Sequence, residues 1–179
     1  VFYGHGLPEL LNRAAARTKG ATVFAYRVTD PERYGVVSFD GAGQAMSIEE
    51  KPSKPRSNYA VTGLYFYDGD AAKHAASIKP SARGELEITD LNRIYLEGGN
   101  LNVEQMGRGF AWFDTGTPDS LRDATDFVAT LQRRQGFQIA CLEEVALNQG
   151  FIDQAQVTRR ANALGKGAYS KYLLDLVAG

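Results

Sequence analysis

Apolar residues along this chain follow two periods, and the two periods occupy different stretches. Short runs rich in Val, Phe and Tyr predict β-strands over residues 21–28, 34–39, 45–50, 59–67, 101–106 and 111–113. Apolar residues spaced three and four apart predict α-helices over 8–19, 71–78, 89–98, 118–134, 143–148, 153–163 and 169–177. Thr117 is a favoured N-cap residue and Pro118 a favoured first helical residue, so the start of the fourth helix is the best defined.

Strands and helices alternate in the first part of the chain, and helices alone follow. We expect strands of the parallel type, because helical connections between strands are typical of parallel sheets. The exception is Asp-Gly-Ala-Gly at 40–43, which predicts a hairpin-like loop between the 34–39 and 45–50 strands. The pattern therefore predicts an α/β layer with a helical C-terminal tail, with no internal repeat and no evident linker.

Composition removes several classes of function. The 179 residues carry 20 basic and 21 acidic side chains without a dense Lys/Arg run, which argues against sequence-independent nucleic-acid binding. The single cysteine, Cys141, excludes an internal disulfide framework and a multi-thiolate metal site, and two histidines leave little for zinc or a His-centred catalytic relay. No apolar run approaches the roughly 20 residues that cross a bilayer, and no signal peptide is visible. We expect a cytoplasmic protein that binds neither nucleic acid nor a membrane.

The stretch around Lys51 is the first candidate for chemistry. Glu50 and Lys51 fall where a predicted strand ends, and ligands of open α/β sheets bind outside strand ends. Pro52 disfavours a helical conformation at Lys51, so we expect an extended exit that holds the ammonium in one place. The alternative is an ordinary Glu-Lys pair at a surface turn.

Asp114 is the second candidate. It follows the 111–113 strand and precedes a capped helix, where a carboxylate can hold Mg²⁺ together with substrate phosphates. The alternative is a turn or capping residue that accepts hydrogen bonds from nearby backbone N–H groups.

Several other residues have two interpretations each. Gly35 and Gly63 could let a ligand approach the backbone, or could be a turn glycine and a bulge glycine. Arg108, between two glycines, could pair with a phosphate or occupy a turn. The acidic residues before the 89–98 helix are expected to be a solvated approach to it, with Thr89 or Asp90 as its cap. The residues alone therefore indicate an α/β domain with a polar pocket near Lys51, and they do not identify a reaction.

Six ordered segments together resemble one family, glucose-1-phosphate thymidylyltransferase. They are Phe-Tyr-Gly-His-Gly at 2–6, Asp-Pro-Glu-Arg-Tyr-Gly-Val-Val at 30–37, Ile-Glu-Glu-Lys-Pro at 48–52, Ala-Val-Thr-Gly-Leu-Tyr-Phe-Tyr at 60–67, Arg-Gly-Glu-Leu-Glu-Ile-Thr-Asp-Leu-Asn at 83–92 and Ala-Trp-Phe-Asp-Thr-Gly-Thr at 111–117. The resemblance extends over essentially the whole chain. It implies part of a Rossmann-like nucleotidyltransferase sheet with a helical C-terminal tail, and a Mg²⁺-dependent reaction of dTTP with glucose 1-phosphate to give dTDP-glucose and pyrophosphate.

The resemblance also implies roles for individual residues. Lys51 is expected to bind the sugar phosphate and Glu50 to accept hydrogen bonds from glucose hydroxyls. Asp114 is expected to be one of two carboxylates that hold Mg²⁺. The remaining sugar-pocket positions that the resemblance implies are Tyr34, Gly35, Val61 and Gly63.

Assembly and regulation follow from the resemblance as well. It implies a homotetramer in a dTDP-rhamnose and lipopolysaccharide pathway, with an allosteric site for which Tyr3, Gly4 and Arg108 are candidates. Residues 1–135 are expected to carry the sugar-phosphate and metal side, and residues 136–179 to form a helical assembly region.

The chain departs from the family pattern at its start. In that family an N-terminal Gly-rich segment with an Arg and a Lys holds the nucleotide, and the first metal Asp lies just before the Phe-Tyr-Gly-His turn. The sequence begins at Val1, without an initiator Met, after that point. We therefore expect a fragment or a processed chain that is inactive by itself. The alternatives are a non-catalytic sugar-nucleotide-binding or assembly fragment, and a relative that uses a uridylyl or cytidylyl nucleotide.

Overall fold

The structure, a computed structural model, describes residues 1–179. The strands are β1 (Phe2–Gly4), β2 (Ala21–Arg27), β3 (Gly35–Phe39), β4 (Ala45–Glu50), β5 (Tyr59–Tyr67), β6 (Leu101–Met106) and β7 (Phe110–Trp112). The α-helices are α1 (Leu7–Ala15), α2 (Ala71–Ser77), α3 (Ile88–Glu97), α4 (Pro118–Gln135), α5 (Leu142–Asn148), α6 (Gln154–Ala163) and α7 (Ala168–Ala178). The mixed α/β class with a helical C-terminal part, expected from the sequence, is confirmed.

Five strands form the main sheet in the order β4-β3-β5-β2-β6, and β1 pairs with β7 in a separate two-stranded sheet. Only β2 and β6 pair in parallel, so the general expectation of parallel-type strands is wrong, whereas the hairpin-like loop expected at residues 40–43 is confirmed by the antiparallel pairing of β3 and β4. The short loop between β3 and β4 explains the antiparallel pairing there, because parallel strands need a long crossover. Asp40 closes this loop by accepting hydrogen bonds from the backbone N–H groups of Ala42 and Gln44.

The chain forms two compact units, Val1–Trp112 and Phe113–Gly179. In the first unit one core lies among β2, β3, β4 and β5, and a second lies between α1 and β2. In the second unit the core consists of Cys141, Val157, Ala161 and Leu173. The functional division expected at residue 135 stays a prediction. Among the helices of residues 1–179, none has both the length and the apolar character needed to cross a membrane.

Two helix boundaries differ from those expected. Helix α1 ends at Ala15 rather than at Lys19, because the chain must turn at Gly20 to enter β2. Gly20 has φ 84°, and a Cβ there would lie 2.4 Å from the carbonyl oxygen of Asn100. The N-cap position of α3 is Glu87, whose side chain makes no capping hydrogen bond, and Thr89 and Asp90, the expected caps, lie inside the first turn. The expected cap of α4 is confirmed, since Thr117 and Ser120 form a capping box.

Strand β5 contains an irregularity opposite Phe24. Val23 pairs with Tyr65 and Ala25 pairs with Val61, so three residues of β5 face one residue of β2. The Thr62 hydroxyl fills the gap by donating a hydrogen bond to the carbonyl oxygen of Phe24 at 3.1 Å. Gly63 therefore lies in a bulge, which confirms one of its two interpretations.

Candidate functional site

The β3–β4 hairpin brings four of the predicted site residues together. Gly35 is paired with Glu50 in the antiparallel register, and the backbone N–H of Lys51 donates to the carbonyl oxygen of Tyr34 at 3.0 Å. Tyr34 and Gly35 thus lie directly across the ladder from Lys51 and Glu50. We call these four residues, together with Thr89 and Arg83 described below, the hairpin site.

Glu50 is the centre of the hairpin site. Its Oε2 accepts a hydrogen bond from the buried Thr89 hydroxyl at 2.5 Å, and its Oε1 lies 3.9 Å from Arg83 Nη1. The Glu50 side chain is 22% exposed, so part of the carboxylate still faces solvent. A carboxylate can accept about four hydrogen bonds. Glu50 therefore keeps acceptor capacity for a ligand.

The absence of a side chain at Gly35 is required by this arrangement. A Cβ at Gly35 would lie 3.1 Å from the Thr89 hydroxyl oxygen and 3.3 Å from Glu50 Oε2. The space beside Gly35 is thus used by the Thr89–Glu50 hydrogen bond.

Lys51 leaves the strand differently from our expectation. Its φ is 41°, in the left-handed region, so the expected extended exit is wrong. The backbone hydrogen bond to Tyr34 holds this conformation against the usual steric cost of a Cβ in that region. The Lys51 side chain is exposed, and no carboxylate within residues 1–179 pairs with its ammonium. Lys51 is therefore a cation available to an anionic ligand.

Strand β5 supplies the neighbouring residues. Val61 is buried, and its Cβ would lie 3.8 Å from a Cβ at Gly35. Gly63 is exposed, with open space where a side chain would project. Burial raises the pKa of the Tyr65 hydroxyl, and the nearby Glu50 carboxylate raises it further. The structure thus brings Val61 and Tyr65 close to the hairpin site.

Aromatic rings border Tyr34. Its ring meets Trp112 of β7 edge-on at a centroid distance of 5.1 Å, and the Arg33 guanidinium lies 5.4 Å from the ring centroid. These contacts fix the orientation of the Tyr34 ring. Trp112 was not among the predicted site residues.

Sequence reasoning also missed Arg83 and Thr89. Thr89 was assigned to helix capping, although its hydroxyl is buried and directed at Glu50. Arg83 lies in a tight turn in which the Gly84 N–H donates to the Ser81 carbonyl oxygen at 2.9 Å. The sequence contained one signal for Arg83. Two glutamates follow this arginine, and acidic side chains that become buried need a cation nearby.

Asp114 lies in the second compact unit, between β7 and α4. Its Oδ2 would be 3.1 Å from a Cβ at Gly116, so the carboxylate is turned toward this glycine. Within residues 1–179, no group of three or more acidic, His or Cys side chains is arranged to hold a metal ion. Asp114 does not form a complete metal site with other side chains of this chain, and its expected role as an oxygen ligand of Mg²⁺ stays a prediction.

The candidates for a second binding site lie on neighbouring segments. Tyr3 and Gly4 belong to β1, and Gly4 is paired with Phe110 so closely that a Cβ would be 2.4 Å from its ring. Gly4 thus has a packing role of its own. Arg108 is exposed in the turn before β7 and lines a cavity of about 680 Å³ with residues at the ends of β2 and β6. An effector site at these residues stays a prediction.

Comparison with known proteins gives one family and a consistent set of relatives. Residues 1–130 match the nucleotidyl transferase family. A glucose-1-phosphate thymidylyltransferase of Xanthomonas campestris pv. campestris is 60% identical over 98% of this chain and 60% of its own length. Proteins of the same name from Neisseria gonorrhoeae and Mycobacterium tuberculosis are 57% and 54% identical over 99% of this chain. The chain spans 60–62% of the length of these relatives.

Two solved structures resemble the fold. A glucose-1-phosphate thymidylyltransferase from Bacillus anthracis, in complex with a sucrose, has a TM-score of 0.62 and 41% identity, over 71% of this chain and 50% of that one. A UDP-glucose pyrophosphorylase complexed with UDP-glucose has a TM-score of 0.62 at 21% identity, over 72% of this chain and 52% of that one, and supports the fold alone.

Proposed function

Because this chain belongs to the nucleotidyl transferase family, we propose that it forms the sugar-phosphate side of a glucose-1-phosphate thymidylyltransferase. The reaction of such an enzyme joins dTTP and glucose 1-phosphate into dTDP-glucose and releases pyrophosphate. The hairpin site is the place where we assign glucose 1-phosphate.

The observation that carries this proposal is the pairing of an incompletely bonded carboxylate with an unpaired cation at adjacent positions. Glu50 has acceptor capacity for sugar hydroxyls, and the Lys51 ammonium, next in sequence, is available for a phosphate. Arg83, 3.9 Å from Glu50, supplies a second cation. A sugar phosphate presents hydroxyls and a phosphate in one small molecule, which is what this arrangement suits.

The contribution of these residues to the reaction is binding and orientation. Lys51 and Arg83 would neutralise the phosphate and hold its oxygen in line for attack on the α-phosphorus of the nucleotide. Tyr34, Gly35, Val61 and Gly63 would bound the sugar. Asp114 would supply one ligand for Mg²⁺, whose charge would neutralise the phosphates when it is bound.

Assembly and regulation are part of the same proposal. We propose, as the family resemblance of the sequence implies, a homotetramer with an effector site near Tyr3, Gly4 and Arg108 and a place in deoxysugar and lipopolysaccharide synthesis. The Arg108 cavity, with its exposed guanidinium, suits an anionic effector.

Calorimetric titration of glucose 1-phosphate into the purified chain tests the proposal. We expect Lys51→Ala to weaken binding by about tenfold or more, because a hydrogen bond to a charged group contributes about 1.5–3 kcal/mol. Lys54→Ala is the matched control, since Lys54 is an exposed lysine of the same loop, and its affinity should stay within about twofold of wild type. No binding by the wild-type chain, or equal losses in the two variants, would contradict the proposal.

The metal role of Asp114 has a separate test. In a full-length enzyme that contains this sequence, Asp114→Asn keeps the volume and removes the charge that a hard cation prefers, so Mg²⁺ affinity in the presence of dTTP and glucose 1-phosphate should fall while the melting temperature changes little. A lowered melting temperature with unchanged Mg²⁺ affinity would make Asp114 a structural residue.

A further inference from the structure

Arg83 is surrounded by carboxylates that differ in how firmly they are held. Its guanidinium lies 3.1 Å from Glu85, 3.6 Å from Glu87 and 3.9 Å from Glu50. The Glu85 side chain is 62% exposed, whereas the Glu87 side chain is 11% exposed. The Arg83 guanidinium thus lies closest to the solvent-exposed carboxylate of Glu85 and slightly farther from the nearly buried carboxylate of Glu87.

Hydrogen bonds fix Glu87 and the turn that carries Arg83. The Ser81 hydroxyl donates to Glu87 Oε1 at 2.9 Å and accepts from the Arg83 N–H at 3.2 Å. The Ser81 N–H donates to the Glu85 carbonyl oxygen at 2.8 Å, which closes the turn. Ser81 therefore links the backbone of Arg83 to the same carboxylate that contacts its side chain.

Glu85 has no comparable anchor. Its side chain makes only the ion pair with Arg83, at a position where water can replace the partner. Exposed ion pairs contribute little to stability, because both groups are well solvated when apart. Glu85 can leave Arg83 at small cost, whereas Glu87 would lose its cation in a nearly buried place, where an unpaired charge is costly.

We propose that the two carboxylates act on Arg83 in opposite ways when a phosphate monoester binds. Glu87 is a positioning residue that holds the guanidinium beside Glu50, and Glu85 is a competitor that occupies the guanidinium in the free protein and is displaced by the phosphate. This inference rests on the proposed function, since it assigns the phosphate of glucose 1-phosphate to Arg83 and Lys51.

The planar guanidinium makes the exchange possible. It has five N–H donors, so it can keep Glu87 on one side while its remaining donors pass from Glu85 to phosphate oxygens. Glu50 stays paired with the Thr89 hydroxyl and remains the acceptor for sugar hydroxyls. A sugar phosphate can then use both halves of the site at once.

Two matched variants test the inference, because each removes the charge of one carboxylate that contacts the Arg83 guanidinium. Calorimetric titration of glucose 1-phosphate should show binding about threefold tighter in Glu85→Gln, since a competing anion is lost. Binding should be about tenfold weaker in Glu87→Gln, since the guanidinium loses its buried anchor while the Ser81 hydrogen bond can persist. Melting temperatures of both variants report any general loss of structure.

A double-mutant cycle on Arg83→Gln shows whether the effects act through Arg83. Adding Glu85→Gln or Glu87→Gln to Arg83→Gln should leave the affinity for glucose 1-phosphate unchanged within about twofold. If Glu87 had a purely structural role, Glu87→Gln would still lower the affinity for glucose 1-phosphate in the Arg83→Gln background.

The outcomes separate this inference from the proposed function. Wild-type binding with affinity changes of the same direction in the two variants, or with changes that survive Arg83→Gln, would overturn the roles of Glu85 and Glu87 alone. Absence of glucose 1-phosphate binding in the wild type would overturn the proposed function together with this inference.

Discussion

Each of the two edge strands of the main sheet, β4 and β6, carries a glutamate that lies near an arginine. The two glutamates differ in how many of their carboxylate lone pairs remain free to accept hydrogen bonds. Glu104 on β6 forms ion pairs with Arg13 and Arg17, in each of which an Nη2 atom lies 2.8 Å from a carboxylate oxygen, and its side chain is 8% exposed. Glu50 on β4 receives the Thr89 hydroxyl at 2.5 Å and an arginine only at 3.9 Å, and it is 22% exposed.

Their electrostatic situations differ accordingly. Burial raises the pKa of the Glu104 carboxyl, but the hydrogen bonds and charges of Arg13 and Arg17 outweigh burial and bring its pKa below the usual value. Both oxygens of Glu104 are used to attach α1 to β6. Glu50 has a well-placed donor on one oxygen and a distant cation on the other. Glu104 thus has the bonding of a structural contact, whereas Glu50 keeps the acceptor capacity that our proposed sugar-phosphate site requires.

The largest expected effect that tests this comparison is on binding. Glu50→Gln should weaken glucose 1-phosphate binding by roughly 30-fold, because charged hydrogen bonds to the sugar hydroxyls contribute about 1.5–3 kcal/mol. The Thr89 hydroxyl can still donate to the amide oxygen, so the unfolding free energy should change by less than about 0.5 kcal/mol. Titration calorimetry and urea unfolding measure the two quantities. An unchanged affinity would place Glu50 with Glu104 as a structural residue.

Glu104→Gln should show the reverse pattern. Its unfolding free energy should fall by about 2 kcal/mol, because two arginines lose a charged partner in a nearly buried place. Affinity for glucose 1-phosphate should remain within about twofold of wild type. Urea unfolding of the two glutamate variants side by side is the measurement. Equal losses of unfolding free energy in Glu50→Gln and Glu104→Gln would contradict the distinction between a ligand-binding and a structural glutamate.

Gly35→Ala should cost about 1 kcal/mol of stability and weaken ligand binding, since overpacking of a closed site destabilises by about 1–3 kcal/mol. The methyl group would press on the Thr89 hydroxyl and Glu50 Oε2, which are bonded to each other and cannot both withdraw. Gly63→Ala is the matched control on β5, because a Cβ there meets open space. Similar melting temperatures for the two variants would contradict the tight packing at Gly35.

The smallest expected effect is in the pH dependence. The folded-state pKa of Glu104 is lowered from 4.5, so its contribution is complete above that value and is lost as the pH falls through the folded-state pKa. The difference in unfolding free energy between wild type and Glu104→Gln should therefore narrow below about pH 4.5, while other carboxyls cancel in the subtraction. A difference that grows on acidification would contradict the lowered pKa.

Most elements of this fold could be predicted from the sequence, because their signals are local. The bounds of β4, β5 and β6 match the expected ranges, and the Thr117-Pro118 start of α4 follows from cap and proline preferences alone. Strand direction was predictable only for β3 and β4, which a short loop joins. Alternation of strands and helices suggested parallel pairing, but pairing is decided by which distant segments meet across the sheet.

The candidate site was predictable only where its residues lie in recognisable segments. Glu50 and Lys51 were recognisable as polar residues at a strand end. Thr89 and Arg83 contact Glu50 from a helix start and a turn that lie more than thirty residues away in sequence. A hydroxyl donor at the first turn of a helix looks like a cap until its partner across the fold is known. The backbone of Lys51 also escaped prediction, because the restriction imposed by Pro52 is overridden by the hydrogen bond to Tyr34.

The left-handed backbone at Lys51 has a consequence for directed evolution of this protein. A variant library selected for thermal endurance alone should enrich glycine at position 51, since glycine takes a positive φ without steric conflict. A library selected for capture of a phosphorylated sugar should retain lysine there. The two selections should therefore favour different residues at position 51, glycine for stability and lysine for ligand capture.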